Sequence, residues 1–155
     1  MRKFFIILLS ILWLSINISC EKDDVCLEPT TPKLMIKFYN EANPSTEKEV
    51  QNLNIVTLPQ YDTIFKNLST NELALQLNVN QDFSKFLFIK DQNTDTLTFS
   101  YERHPVFVSK TCGYKTIFEQ FSTQLSTDNN LWIKNIEVIT PTVNTDTLTH
   151  VKIFH

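Results

Sequence analysis

The chain has 155 residues, with 14 basic against 17 acidic side chains, three histidines, three cysteines and one glycine, for a net charge of −3. Beyond Arg2-Lys3 the basic residues are scattered without a cluster, which excludes the basic stripe a nucleic-acid partner requires. One glycine is too few for a phosphate-cradling loop, and no Asp-x-Asp-x-Asp-Gly calcium loop occurs.

The first element is a leader over residues 1–19. Arg2 and Lys3 supply a basic start, Phe4 to Ile16 is apolar apart from Ser10 and Ser15, and small Ser19 ends it. The run is short for a bilayer span, which needs about 20 predominantly apolar residues. An uncleaved anchor or an ordinary secretory signal are the alternatives. Asn17-Ile18-Ser19-Cys20 resembles a bacterial lipobox, with Asn17 where Leu is usual. Cys20-Glu21-Lys22-Asp23-Asp24 is similar to the Cys-x-Lys-acidic-acidic signal of surface lipoproteins in Bacteroidota. That resemblance implies cleavage before Cys20, a diacylglyceryl thioether on its sulfur and an N-acyl chain such as palmitate. It also implies an outer-membrane address, at the cell surface if the acidic signal operates. Each buried methylene contributes about 0.8 kcal/mol, so several chains hold where one binds reversibly. A plainer reading of the acidic run is a solvated tether.

Residues 20–32 then form a lipidated tether, and residues 33–155 one domain of ordinary size. Processing leaves 12 basic against 17 acidic residues, a net charge of −5. With Cys20 acylated, Cys26 and Cys112 remain; in an exported chain two such cysteines are expected to pair, two free thiols being the alternative. No Cys-x-x-Cys pair and no suitably spaced histidine supports a metal site, and no cofactor is expected.

Through the domain the dominant rhythm has a period of two. Leu34/Ile36/Phe38, Leu73/Leu75/Leu77/Val79 and Leu97/Phe99/Tyr101 alternate with other residues, as in strands with one buried face. Phe86 to Ile89 and Val106 to Val108 are apolar on both faces, the pattern of interior strands. Leu53–Val56, Trp132–Ile139 and Leu148–Phe154 bring the total to about eight. Turn signals fall at Asn43-Pro44, Pro59, Asn80-Gln81-Asp82, Asn93, Asp128-Asn129-Asn130 and Pro141. The fold class is mostly β, an immunoglobulin-like β-sandwich.

Tyr114–Leu125 is ambiguous. Ile117, Phe118, Phe121 and Leu125 fall at helical spacing, whereas Tyr114, Thr116 and Phe118 suit a strand. A strand through Phe118 followed by an irregular or helical turn is the favoured reading. Gly113, beside Cys112, marks a bulge or close backbone approach that gives the disulfide clearance.

The hexapeptide Asn-Thr-Asp-Thr-Leu-Thr occurs at 93–98 and 144–149. Each copy reads as a loop leading into a strand, and two copies do not make a solenoid. Asp-Thr-aliphatic also resembles the O-glycosylation acceptor of exported Bacteroidota proteins, which makes Thr63, Thr96 and Thr147 candidate sites.

The chain offers little chemistry. His104, His150 and His155 have no nucleophile or carboxylate partner at a recognisable spacing, and the carboxylates sit mostly in turns. A glycosidase pair cannot be placed, so an enzyme is not expected. A metal carrier built on His150 and His155 is a distant alternative. Among aromatics, Trp132 is the candidate binding ring, with Phe38, Tyr39, Tyr101 and Phe107 behind it; the plainer reading makes all of them core.

"SCEKDDVC", "TTPKLMIKFYN", "DTLTFSYERHPVFVSKTCGYKTIF", "NLWIKNIEVIT" and "HVKIFH" together resemble a domain-of-unknown-function family of small flavobacterial-type lipoproteins. The resemblance implies an exported outer-membrane domain and carries no catalytic residues. The expected function is a non-enzymatic binding or accessory module, held to the membrane by its N-terminal lipid and engaging an envelope protein or glycan. An envelope-polymer hydrolase or a sugar-binding module is the alternative.

Overall fold

A computed structural model describes Cys26, residues 30–127 and residues 130–155. The leader, Cys20 and most of the tether lie outside these, as do Asp128 and Asn129 of one expected turn. The described residues form nine strands and no helix: β1 Leu34–Tyr39, β2 Val50–Leu58, β3 Thr63–Thr70, β4 Glu72–Leu75, β5 Phe83–Lys90, β6 Asn93–Ser109, β7 Gly113–Leu125, β8 Asn135–Val138 and β9 Val151–Phe154. They make two sheets, β4-β1-β9-β8 and β3-β2-β5-β6-β7, packed as a sandwich. Every pairing is antiparallel except β1 with β9.

Alternation builds the core as expected. Leu34, Ile36 and Phe38 are buried from β1, Phe86 and Phe88 from β5, and Leu97, Phe99 and Tyr101 from β6. Tyr101 stacks edge-on against Phe118 at 4.8 Å between ring centroids, and Phe99 lies 5.5 Å from Phe121. Buried Tyr101 also closes a small polar ring: the Asn78 N–H donates to Ser84 Oγ at 2.8 Å, and the Tyr101 hydroxyl donates to the Asn78 carbonyl at 3.0 Å. Tyr101 thereby spends its only proton, so the 2.6 Å contact to Ser84 Oγ has Ser84 as donor.

The ambiguous segment is strand throughout, which corrects the expected turn after Phe118. Its helical spacing comes from a bulge. Glu102 faces Glu119 and Ser100 faces Ser122, so Tyr101 alone opposes both Gln120 and Phe121. Gln120 takes a left-handed φ of 50°, and the extra residue resets the alternation so that Phe118 and Phe121, three apart, both enter the core. The device recurs twice. Asn52 at φ 56° lies between buried Val50 and Leu53, and Asn67 at φ 49° lies between half-buried Phe65 and Leu68. Three left-handed residues thus explain three helix-like spacings in an all-β chain.

Other expectations shift. β3 is an edge strand that the apolar rhythm does not mark, since its residues are mostly exposed. Asn93 opens β6 instead of turning: the hairpin loop is Asp91-Gln92, with Asp91 at φ 55°. Val106–Val108 is not interior. β5 stops pairing at Ser100, so from Glu102 onward β6 has β7 as its one neighbour, and the two run on as a two-stranded arm. Eight residues at about 3.3 Å each make that arm roughly 26 Å long. Arg103 pins its base, donating to Asp82 Oδ1 at 2.7 Å and to the Val79 carbonyl at 2.9 Å.

Candidate functional site

Alternation carried past the last neighbour turns apolar side chains outward. On the arm, Phe107 pairs with Tyr114 across the strands, and their rings meet edge to face at 5.4 Å. Phe107 is 56% exposed and Tyr114 71%, with Val106 beside them. The arm closes through Lys110-Thr111-Cys112, where the Cys112 N–H donates to Ser109 Oγ at 3.0 Å. Gly113 follows at φ +71°, and a Cβ placed there would meet nothing within 4 Å. The glycine therefore serves backbone conformation, and the expected clearance for the disulfide is not its reason.

Cys112 is bonded to Cys26, 86 residues away, with Cα atoms 5.1 Å apart. For a closed loop of that length the chain-entropy model gives about 4–5 kcal/mol as an upper figure. A second contact fixes the same entry path: the Thr116 N–H donates to Thr31 Oγ1 at 3.0 Å. The next stretch of β7 is covered by residues 141–143. Phe118 exchanges backbone hydrogen bonds with Val143, and the Phe121 N–H reaches the Pro141 carbonyl at 2.9 Å. The edge strand is thus masked from Thr116 to Phe121, and among the described residues no strand pairs with the arm tip beyond it.

Between the tip and the start of β1 lies a cleft of about 330 Å³ lined by Cys26, Thr30, Thr31, Lys33, Gln76, Val108, Cys112, Tyr114 and Lys115. Its charged lining is two lysines. Next to it, a cleft of about 260 Å³ joins the end of β2 to the β4–β5 loop and Phe83. Strand register gathers the large exposed apolar residues at this end of the sandwich. Tyr61 and Ile64 lie at the β2–β3 turn, Val79 and Phe83 before and at the start of β5, Ile139 and Leu148 beside the start of β9, and Val106, Phe107 and Tyr114 on the arm.

The other nominated residues fall elsewhere. Trp132 is 7% exposed, so it is not available as a binding ring. Its indole N–H donates to the Phe88 carbonyl at 3.0 Å, which satisfies the one polar atom that would oppose burial. Phe38 and Tyr101 are core too; of the ring candidates, Phe107 alone is exposed. Tyr114 was not nominated, and its signal, the register across the Lys110–Cys112 loop, becomes readable once the hairpin is known.

His150 is fully buried and its Nδ1 accepts the Met35 N–H at 3.0 Å. Burial pushes its pKa below the ordinary histidine value, with Asp146 opposing. His155 is lowered as well, chiefly by burial, and its Nε2 lies 3.3 Å from the Lys48 carbonyl. The two rings serve different backbone partners. His104 is on the arm surface, 3.4 Å from Glu119 and 3.8 Å from Glu102. Among the described residues no group of three or more His, Cys, Asp or Glu is arranged to hold a metal.

The repeated hexapeptide takes two conformations. The first copy lies within β6, where buried Asp95 accepts the Ile133 N–H at 2.7 Å. The second is a loop, where Asp146 accepts the Lys33 N–H at 2.7 Å. In both, the aspartate clamps a distant backbone. Thr63 and Thr147 are exposed; Thr96 is half-buried in mid-sheet, its N–H donating to Ser126 Oγ.

One protein-family model matches the chain, over residues 52–155, and its description is a family of unknown function, DUF6452. No curated protein and no solved structure matches it. The matched span runs from within β2 to β9, including the whole arm and Cys112, and begins after Cys26.

Proposed function

The chain belongs to the DUF6452 family of unknown function, and we propose that it works as an exported, lipid-anchored binding or accessory module of the outer membrane. The observation that carries this reading is the Cys26–Cys112 disulfide, placed six residues beyond Cys20. Such bonds persist in oxidising compartments. This one ties the segment next to the acylation motif directly to the folded body. A leader ending at Ser19 and a disulfide in the segment that follows are mutually consistent signs of a processed lipoprotein.

A non-enzymatic role is supported by what the polar groups already do. The rings of His150 and His155 hold backbone partners, Asp95 and Asp146 clamp neighbouring segments, and the larger cleft is lined by lysines without a carboxylate or imidazole.

The test is expression of the parent and Cys20→Ala in a Bacteroidota host fed an alkyne fatty acid, followed by capture of the tagged protein from membranes. The parent incorporates label and fractionates with the outer membrane; Cys20→Ala does neither. Equal labelling and fractionation of the two forms would remove the anchor. A stoichiometric envelope partner recovered with the parent would identify what the module serves.

A further inference from the structure

The sequence position of Cys20 and the location of the exposed apolar residues are independent of each other, and they coincide. Cys20 and Cys26 are six residues apart, so full extension separates their Cα atoms by at most about 20–22 Å. Cys26 is bonded to Cys112 in the arm tip, with 5.1 Å between Cα atoms. An acylated Cys20 therefore keeps that tip within one short tether length of the bilayer. The tip carries the exposed Phe107–Tyr114 pair and Val106. Lys110 is exposed in its closing loop and Lys115 is half-buried beside Tyr114.

Aromatic rings with a polar end favour the headgroup level of a bilayer, and lysine stems lie along apolar surface while their ammonium groups reach phosphate. Among the described residues the acidic side chains nearest the arm lie toward its base, while Glu21, Asp23, Asp24 and Glu28 belong to the tether that leads to the tip. Glu102 and Glu119 flank His104, and Asp82 is paired with Arg103. The remaining exposed apolar residues lie around the same end of the sandwich.

We infer that this end of the domain rests on the phospholipid surface that holds its own lipid anchor, with Phe107 and Tyr114 seated among the headgroups. The proposal rests on acylation of Cys20 as read above. It turns the disulfide into an orienting device: one edge of the sandwich faces the membrane, while the opposite end, with the Asp91-Gln92 loop, faces away.

The test uses the full acylated protein, with intact mass recorded first. Phe107→Trp is purified from native membranes and reconstituted in phosphatidylcholine vesicles, with and without lipids brominated near the headgroup end of one acyl chain. The parent supplies the background from buried Trp132; Tyr114→Trp is the second reporter, should the first disturb the fold. Seating in the bilayer moves the added emission to the blue on reconstitution, and brominated lipid removes most of it. Acylated protein whose added emission stays at the water-exposed wavelength and is not quenched would overturn the orientation while leaving the anchor intact. In lipid-free protein, Cys20→Ala/Phe107→Trp is compared with Cys20→Ala, which carries the same Trp13 and Trp132; an added emission that is already blue would overturn it too, by showing that the chain itself covers the tip. A mass without acyl chains overturns both readings together.

Discussion

Adding or removing one residue at Gln120 separates the bulge from its alternatives. The bulge exists because Phe118 and Phe121 are three residues apart yet both are buried, with the left-handed Gln120 between them. Removing Gln120 leaves Phe118, Glu119, Phe121 in succession, which an ordinary strand already places in, out, in. The deletion relieves a left-handed non-glycine residue that costs roughly 1–2 kcal/mol. Against that, it misaligns the edge hydrogen bonds from Phe118 and Phe121 to the 141–143 segment, each contributing about 0.5–1.5 kcal/mol. The net change lies within about 1–2 kcal/mol of zero. Inserting an alanine after Gln120 does the opposite. Phe121, Thr123 and Leu125 slip to the outer face, and losing the buried Phe121 ring alone is comparable to a Phe→Ala change, about 3–5 kcal/mol. With a urea m-value of about 1–3 kcal/mol/M, the insertion lowers the midpoint by at least about 1 M and the deletion by much less. Urea unfolding followed by fluorescence and circular dichroism reads both. Equal losses from the two variants would refute the account of β7.

Three further outcomes are expected. Folded His150 refuses a proton that the unfolded chain accepts near pH 6.5, so its share of stability is complete above that value and is lost as pH falls through and below it. His150→Asn, whose amide oxygen can take the Met35 N–H, flattens the stability–pH curve over this range; an unchanged curve would contradict the assignment. Tyr101→Phe strands the Asn78 carbonyl and the Ser84 hydroxyl proton, while Ser84 Oγ keeps the Asn78 N–H, and lowers unfolding free energy by about 1–3 kcal/mol, with Ser84→Ala non-additive in a double-mutant cycle. If the Asp-Thr acceptors are modified in the native host, peptide masses place glycan on exposed Thr63 and Thr147 and leave half-buried Thr96 bare; glycan on Thr96 would reverse that ranking.

The sandwich was legible where strands have neighbours on both sides and one wet face. β1 and β6 announce themselves because burial on one face imposes alternation on the side chains. β3 leaves no such trace: as an edge strand it buries Phe65 and Leu68 only in part, and Asn67 breaks their spacing. The triplet Val106-Phe107-Val108 misleads for another reason. An apolar run records that a surface avoids water, and not whether a second strand or a separate surface covers it. The cysteine pair was legible because, with Cys20 set aside, Cys26 and Cys112 are the two that remain. Tyr114 was not, since its place beside Phe107 depends on which three residues close the hairpin. Trp132, beside a polar turn, could be read as core or as a binding ring; it is core, and one carbonyl within reach of its indole satisfies the polar atom that burial would strand.

The last strand has a consequence for how the domain comes to exist. β9 sits in the interior of its sheet, parallel to β1 on one side and antiparallel to β8 on the other. Until Val151–Phe154 arrive, β1 and β8 have no common partner, although well over a hundred residues separate β1 from that strand. Such a closure is slow to find and cannot be completed on a partly emerged polypeptide. Nothing short of the whole span from β1 to β9 completes that sheet.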